Sequence, residues 1–268
     1  MKIKEKIGVI GIGNMGAAIL EGLFKKNLAA PSQVFVFDKI SEKTEEFVKH
    51  WKTQRADSNA GLVKQVEIIL LAVKPQDLSA TAAEFEQALT KSHTLISILA
   101  GTPLVKIRQV AGSTVQLVRA MPNLGARVGE AVTALAGSSP ESLGLAEKIF
   151  SGCGKTIRMD EKYFDLVTAV SGSGPAYFFF LMELLAAEGI RNGLSKKEAE
   201  LLAVQTAVGA GLLAQAASES PEELRKKVTS KGGTTEAALK ILLEKKFPEI
   251  FHDAIQAALN RGRELSQQ

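Results

Sequence analysis

Two kinds of apolar pattern divide the chain. Up to about residue 160, short, predominantly apolar runs alternate with amphipathic stretches. The runs are residues 7–10, 34–37, 67–73, 94–99 and 115–118. Between the first two, residues 14–26 set Met15, Ile19, Leu20, Leu23 and Phe24 at helical spacing, and 42–51 reads as a charged helix. A strand that is apolar almost throughout is buried on both faces, which requires helices above and below a parallel sheet. The pattern therefore predicts an α/β fold, a doubly wound parallel sheet of the Rossmann type.

After Asp160 the strand signal stops. Residues 163–191, 195–218, 221–228, 234–246 and 248–266 read as helices. Ser195 and Glu198 form a capping box, and Gly193 fits the turn that ends the preceding helix. Pro175 kinks or restarts the helix in which it falls. Residues 201–217 are apolar almost all round, and such a helix is covered on every side. A helical domain of about 108 residues supplies too little cover alone, so a second subunit is expected to provide it. The expected domains are 1–160 and 161–268.

Composition narrows the classes. With 268 residues and 46% apolar content, the chain can bury a large core. The net charge of +4 comes from bases interleaved with acids, with no basic stripe, so nucleic acid binding is not expected. The single cysteine, Cys153, excludes a disulfide within the chain and a thiolate zinc cluster. Gly152 and Gly154 beside it predict a turn before a strand, with a buried or half-buried thiol. The apolar runs 176–187 and 201–217 are interrupted or too short for the ~20 residues of a clean span. No signal-peptide pattern opens the chain. The expectation is a soluble, cytoplasmic protein with no membrane partner.

Chemistry concentrates at two glycine-rich places. Gly11-Ile12-Gly13-Asn14-Met15-Gly16 follows a strand and opens a helix, the context that makes G-x-G-x-x-G a dinucleotide site. Gly11 makes the turn, Gly13 lets the pyrophosphate approach, and Gly16 allows close helix packing. Asp38, 22 residues beyond Gly16, stands where a ribose hydroxyl acceptor is expected. Asp38 favours NAD(H), whereas the adjacent Lys39 favours the 2′-phosphate of NADP(H), so cofactor choice stays open. Ala72-Val73-Lys74-Pro75 and Met121-Pro122-Asn123 lie at later strand ends, where ligands of such sheets bind.

The second place is Ser230-Lys231-Gly232-Gly233-Thr234-Thr235, which runs straight into a helix. Free amides at a helix start suit a small anion such as a carboxylate. Elsewhere, acid–base machinery is missing. His50, His93 and His252 have no metal-ligand spacing and are expected at the surface. Ser171-Gly172-Ser173-Gly174 lacks the spacing of a nucleophile elbow. A cofactor would then carry the chemistry while the protein positions the reactants.

Together, Gly11–Gly16, Ala72–Pro75, Arg119-Ala120-Met121-Pro122-Asn123, Ser171-Gly172-Ser173-Gly174-Pro175-Ala176-Tyr177 and Val228–Thr235 resemble the pyrroline-5-carboxylate reductase family. The resemblance runs from Ile7 to about Glu264. It implies an N-terminal Rossmann domain and a C-terminal helical dimerisation domain, in interlocked dimers and rings of dimers. It implies reduction of the imine 1-pyrroline-5-carboxylate to proline with NADPH, less often NADH. It places Asn59 at the adenosine and Ala100 near the nicotinamide. It sets the substrate carboxylate on the amides of Gly233 and Thr234 with the Ser230 hydroxyl, and the Thr235 hydroxyl on the ring nitrogen. Lys231 departs from the family, which has proline there. Two other readings compete. A β-hydroxyacid dehydrogenase or imine reductase shares the plan, but the dehydrogenases need a lysine that 176–187 lacks. A non-enzymatic accessory protein rests on Lys231 alone.

Overall fold

The structure, a computed structural model, describes residues 2–267. Eight strands form one sheet in the order β3-β2-β1-β4-β5-β6-β7-β8. They are β1 (Ile7–Ile10), β2 (Val34–Phe37), β3 (Gln54–Arg55), β4 (Ile68–Leu71), β5 (Thr94–Ser97), β6 (Gln116–Met121), β7 (Ala131–Gly137) and β8 (Gly154–Arg158). All neighbours are parallel except β6 and β7. The helices around them are α1 (Asn14–Lys25), α2 (Ser41–Trp51), α3 (Asn59–Val63), α4 (Leu78–Ala83), α5 (Leu104–Ala111) and α6 (Pro140–Phe150).

Burial explains the continuous apolar runs. β1, β4 and β5 are buried at every residue. Alternate residues face opposite layers: Ile68 and Leu70 join the core with α1 and α6, whereas Ile69 and Leu71 join Leu62, Phe85 and Ile107. The doubly wound expectation holds. Two strands escaped the apolar pattern. β3 is only two residues long. β7 mixes alanines with Val132, Thr133 and Leu135, and it gains its place by pairing antiparallel with β6. β8 begins at Gly154, as the flanking glycines predict.

β6 also runs past Val118, through a charged residue. Arg119 is 3% exposed, and its Nη1 donates to Glu161 Oε1 at 3.1 Å. The same oxygen accepts from the Leu104 amide at 2.6 Å, and the guanidinium lies 4.7 Å from the Phe164 ring centroid. Pairing and stacking make the buried cation tolerable inside the sheet. His93 differs from expectation: it is buried, because its Nδ1 accepts from the Thr90 amide at 2.9 Å and closes the turn into β5. His50 and His252 are exposed.

The remaining helices are α7 (Phe164–Val167), α8 (Gly174–Arg191), α9 (Lys196–Ala216), α10 (Pro221–Lys227), α11 (Thr234–Glu244) and α12 (Phe247–Gln267). The expected single helix over 163–191 is interrupted by a π-helical segment, Thr168–Gly172. The α-helix restarts at Gly174, with Pro175 in the first turn, where its missing N–H costs nothing. By its contacts the chain forms two compact units. One comprises the residues up to Gly172 together with those from Ala258, and the other is Ser173–Ala257.

Within the second unit, α8 and α9 pack through Ala186, Ala199 and Ala203. Capping boxes at Ser195/Glu198 and Ser220/Glu223 start α9 and α10. The outer faces of α8 and α9 are apolar and open: Phe178 is 63% exposed and Leu201 64%. The sequence expectation underestimated their reach. Glu161–Arg191 and Lys196–Ala216 are both long and apolar enough to cross a membrane by length and composition, because helix continues beyond the clean apolar runs.

Candidate functional site

The glycine-rich turn leaves β1 and enters α1. Gly11 has φ +99°, a left-handed value that disfavours any side chain, and an added Cβ would lie 2.7 Å from the Ala72 carbonyl. At Gly16 a Cβ would meet the Gly11 carbonyl at 2.4 Å. At Gly13 it would meet nothing within 4 Å. Packing thus requires Gly11 and Gly16, whereas Gly13 opens onto space.

That space belongs to a cavity of about 470 Å³ beyond the carboxyl ends of β1, β2 and β4. Of the expected cofactor residues, Gly11, Gly13, Asp38, Lys39, Asn59, Ala72, Val73 and Lys74 line it. Ile12, Asn14, Met15, Gly16, Pro75, Ala100, Met121, Pro122 and Asn123 do not. Ile12 is buried in the turn, and Met15 packs against the core. Lys43, Asp77 and Glu84 also line the cavity, and nothing in their sequence context marks them.

Asp38 turns into the protein. Its Oδ2 accepts from the Ile12 amide at 2.7 Å, and its Oδ1 from the Ile40 amide at 2.9 Å. Its own amide donates to Thr44 Oγ1 at 3.0 Å. The carboxylate thereby ties the end of β2 to the glycine turn. Lys39 reaches the other way, to Asp77 Oδ1 at 3.1 Å.

A dinucleotide fits this cavity on one further observation. Asn59 is 4% exposed, and its Nδ2 donates to Glu84 Oε2 at 2.7 Å. A carboxylate only accepts, so the amide orientation is fixed and Oδ1 is left without a partner. A buried acceptor beside a cavity calls for a ligand donor such as a ribose hydroxyl or an adenine amine.

Met121 and Pro122 are buried at the end of β6. Asn123 Oδ1 accepts from the Gly125 amide at 3.2 Å, and its Nδ2 donates to Ser171 Oγ at 3.3 Å. Gly172 packs on Met121: a Cβ there would lie 2.7 Å from Met121 Cε. The Ser171-Gly172 pair thus serves close packing. Ala100 is exposed in the loop after β5.

The anion loop leads into α11. Gly232 has φ +72°, which glycine tolerates. Its amide donates to Glu236 Oε2 at 2.7 Å, and the Gly233 amide donates to the Ser230 carbonyl at 3.0 Å. The Gly233 amide is therefore already engaged within the loop. Thr234 and Thr235 begin the helix, where first-turn amides have no intrahelical acceptor. Lys231 is exposed, and no structural feature explains it in place of proline. Glu236 was not foreseen, although an acid in a first helical turn behind two glycines is a readable signal.

Cys153 lies outside both places. It is fully buried, its Sγ 3.8 Å from the Ile19 carbonyl, and burial pushes the thiol up to about 12, with Lys26 partly offsetting this. A thiol so rarely ionised is no nucleophile.

Comparisons with known proteins add to this geometry. Residues 161–265 match the family described as pyrroline-5-carboxylate reductase dimerisation, and residues 6–101 match NADP oxidoreductase coenzyme F420-dependent. The pyrroline-5-carboxylate reductase of Methanosarcina acetivorans is 34% identical over 98% of both chains. That of Arabidopsis thaliana is 33% identical over 98% of this chain and 96% of its own. A solved pyrroline-5-carboxylate reductase from Coxiella burnetii superposes with a TM-score of 0.93, at 34% identity, over 99% of this chain and 100% of its own. The Plasmodium falciparum pyrroline carboxylate reductase, solved with NADP bound, gives 0.87 at 28% identity over 99% and 100%. The chain belongs to the pyrroline-5-carboxylate reductase family.

Proposed function

We propose that this chain reduces 1-pyrroline-5-carboxylate to proline, with NADP(H) or NAD(H) as the dinucleotide. The observation that carries the substrate side is the start of α11, where two glycines lead into two threonines at a helix N-terminus. The first-turn amides of Thr234 and Thr235 and the Ser230 hydroxyl hold the substrate carboxylate, aided by the helix dipole. Gly232 and Gly233 shape the turn that presents them. The Thr235 hydroxyl donates to the ring nitrogen. An imine so polarised accepts hydride at carbon more readily, and the nitrogen takes its proton from water, with the Thr235 hydroxyl as hydrogen-bond donor and no strong protein acid.

On the dinucleotide side, Gly11, Ile12, Gly13, Asn14 and Gly16 present the turn and helix start to the pyrophosphate. Asn59 offers its free Oδ1 to the adenosine part. A reduced nicotinamide, when bound, supplies the hydride. Met121, Pro122, Asn123 and Ala100 shape the nicotinamide end.

The open faces of α8 and α9 are covered by a second copy, in keeping with the dimerisation match over 161–265. Each large apolar side chain so buried contributes about 1.5–3 kcal/mol. An interlocked dimer satisfies both helices, and dimers assemble further into rings. This removes the apolar faces from water without lipid, and the enzyme works in the cytoplasm.

The test is dinucleotide oxidation that depends on 1-pyrroline-5-carboxylate. Purified protein inactive with both NADPH and NADH ends the proposal. Thr235→Ala is expected to lower kcat by about 10- to 100-fold, the scale of a lost transition-state donor, with dinucleotide affinity retained. Unchanged kcat removes Thr235 from the chemistry.

A further inference from the structure

We propose that Asp77 sets the preference between the two dinucleotides, by holding Lys39 in an ion pair that a 2′-phosphate has to displace. The inference rests on the cofactor assignment above and deepens it. Asp77 closes the short turn Pro75–Asp77 beyond β4, whereas Lys39 stands beyond β2. In the sheet β1 separates those two strands, so the pair links two sides of the cavity lining.

The two neighbours Asp38 and Lys39 have divided their tasks. Asp38 gives both carboxylate oxygens to backbone amides, Ile12 and Ile40. Of these two neighbours, Lys39 is the one that can turn toward a ligand charge, and its present partner is Asp77. The charged groups lining the cavity are Asp38, Asp77 and Glu84 against Lys39, Lys43 and Lys74, which balance. Glu84 is engaged by Asn59. A dinucleotide with a 2′-hydroxyl brings no charge to this balanced rim. One with a 2′-phosphate brings close to two negative charges near pH 7 and competes with Asp77 for Lys39.

The pair yields readily. The Lys39 side chain is 72% exposed and that of Asp77 30%, and exposed pairs of this kind contribute little to stability. Asp77 therefore acts as a weak competitor. It lowers affinity for the phosphorylated dinucleotide without closing the cavity, and so keeps both dinucleotides usable.

The experiment is direct binding of NADPH and NADH to the full chain, read by nicotinamide fluorescence without substrate. Asp77→Asn removes the competing charge and leaves a side chain of the same shape. Removing one charge that faces a dianion across a water-filled cavity alters affinity about 3- to 10-fold. The ratio of NADPH to NADH affinity is expected to rise by that factor in Asp77→Asn and to fall at least as far in Lys39→Ala. A ratio within twofold of wild type in Asp77→Asn overturns the proposal. If wild type binds neither dinucleotide, the cofactor assignment falls and this inference with it. Since substrate is absent, failure to reduce the imine leaves this test untouched.

Discussion

Removing the Asp38 carboxylate tests whether that residue is a brace of the glycine turn or only a ribose contact. In Asp38→Ala the Ile12 and Ile40 amides lose acceptors now at 2.7 and 2.9 Å. Hydrogen bonds to a charged group contribute about 1.5–3 kcal/mol each. Asp38 is half-buried, so the low end applies, giving ~3 kcal/mol for the two. For a chain of this size that loss lowers Tm by ~6–12 °C, at ~2–4 °C per kcal/mol. Asp38→Asn keeps one acceptor oxygen and should lose about half as much. The assay is thermal unfolding by circular dichroism on protein stripped of nucleotide, so no ribose is present to contribute. A residue that acts only on ribose leaves that melt where it was. An Asp38→Ala melt within ~1 °C of wild type refutes the brace. With the brace real, affinity for NADPH and NADH should fall together, because both use the same turn.

Other consequences follow from the same structure. Gly13→Ala should leave the nucleotide-free melt nearly unchanged, since its Cβ meets no protein atom within 4 Å. It should still weaken both dinucleotides about 10-fold or more by filling the space of the pyrophosphate; unaltered affinity would move the phosphates elsewhere. Gly16→Ala should do the reverse and lower the melt, because its Cβ would sit 2.4 Å from the Gly11 carbonyl; a wild-type melt would show that the turn relaxes freely. The Cys153 thiol, raised to about 12 from an ordinary value of 9.0, makes stability pH-dependent. Above pH 9 the unfolded chain gives up this proton while the native one keeps it. Stability should thus fall by up to ~1.4 kcal/mol per pH unit from 9 toward 12. Urea titrations of Cys153→Ala across that window should show a flatter profile, and an equally steep one refutes the assignment.

Much of the architecture was legible because burial writes itself into sequence. β1, β2 and β4 carry no polar side chain, and β5 only Thr94 and Ser97, a pattern that suits a sheet covered on both faces. α9 starts where its capping box places it, and α10 at Pro221, the first residue of the expected helix. β7 was not legible: Ala-Val-Thr-Ala-Leu-Ala-Gly has no strong strand composition, and its pairing is a tertiary fact. The π-helical segment before α8 was also hidden, since Pro175 marks a restart but not the form of the preceding turn. His93 misled because its neighbours Lys91 and Ser92 are polar, yet its ring is tied inward by Thr90. In the cavity, the glycine turn, Asp38 and Asn59 could be found by spacing or resemblance. Asp77 and Glu84 could not, because each matters through a partner 38 and 25 residues away.

The last turns of α12 belong to the first unit and not to the helical one. Ser266 Oγ donates to Asp165 Oδ1 at 2.8 Å, and Leu265 lies against Gly101. This fixes an order of events during synthesis. The sheet-bearing unit emerges first, yet its packing around Asp165 and Gly101 has to wait until all of 173–257 has been translated. Until then a growing chain carries an unfinished surface on the part that was made earliest. The unit that begins first is the unit completed last.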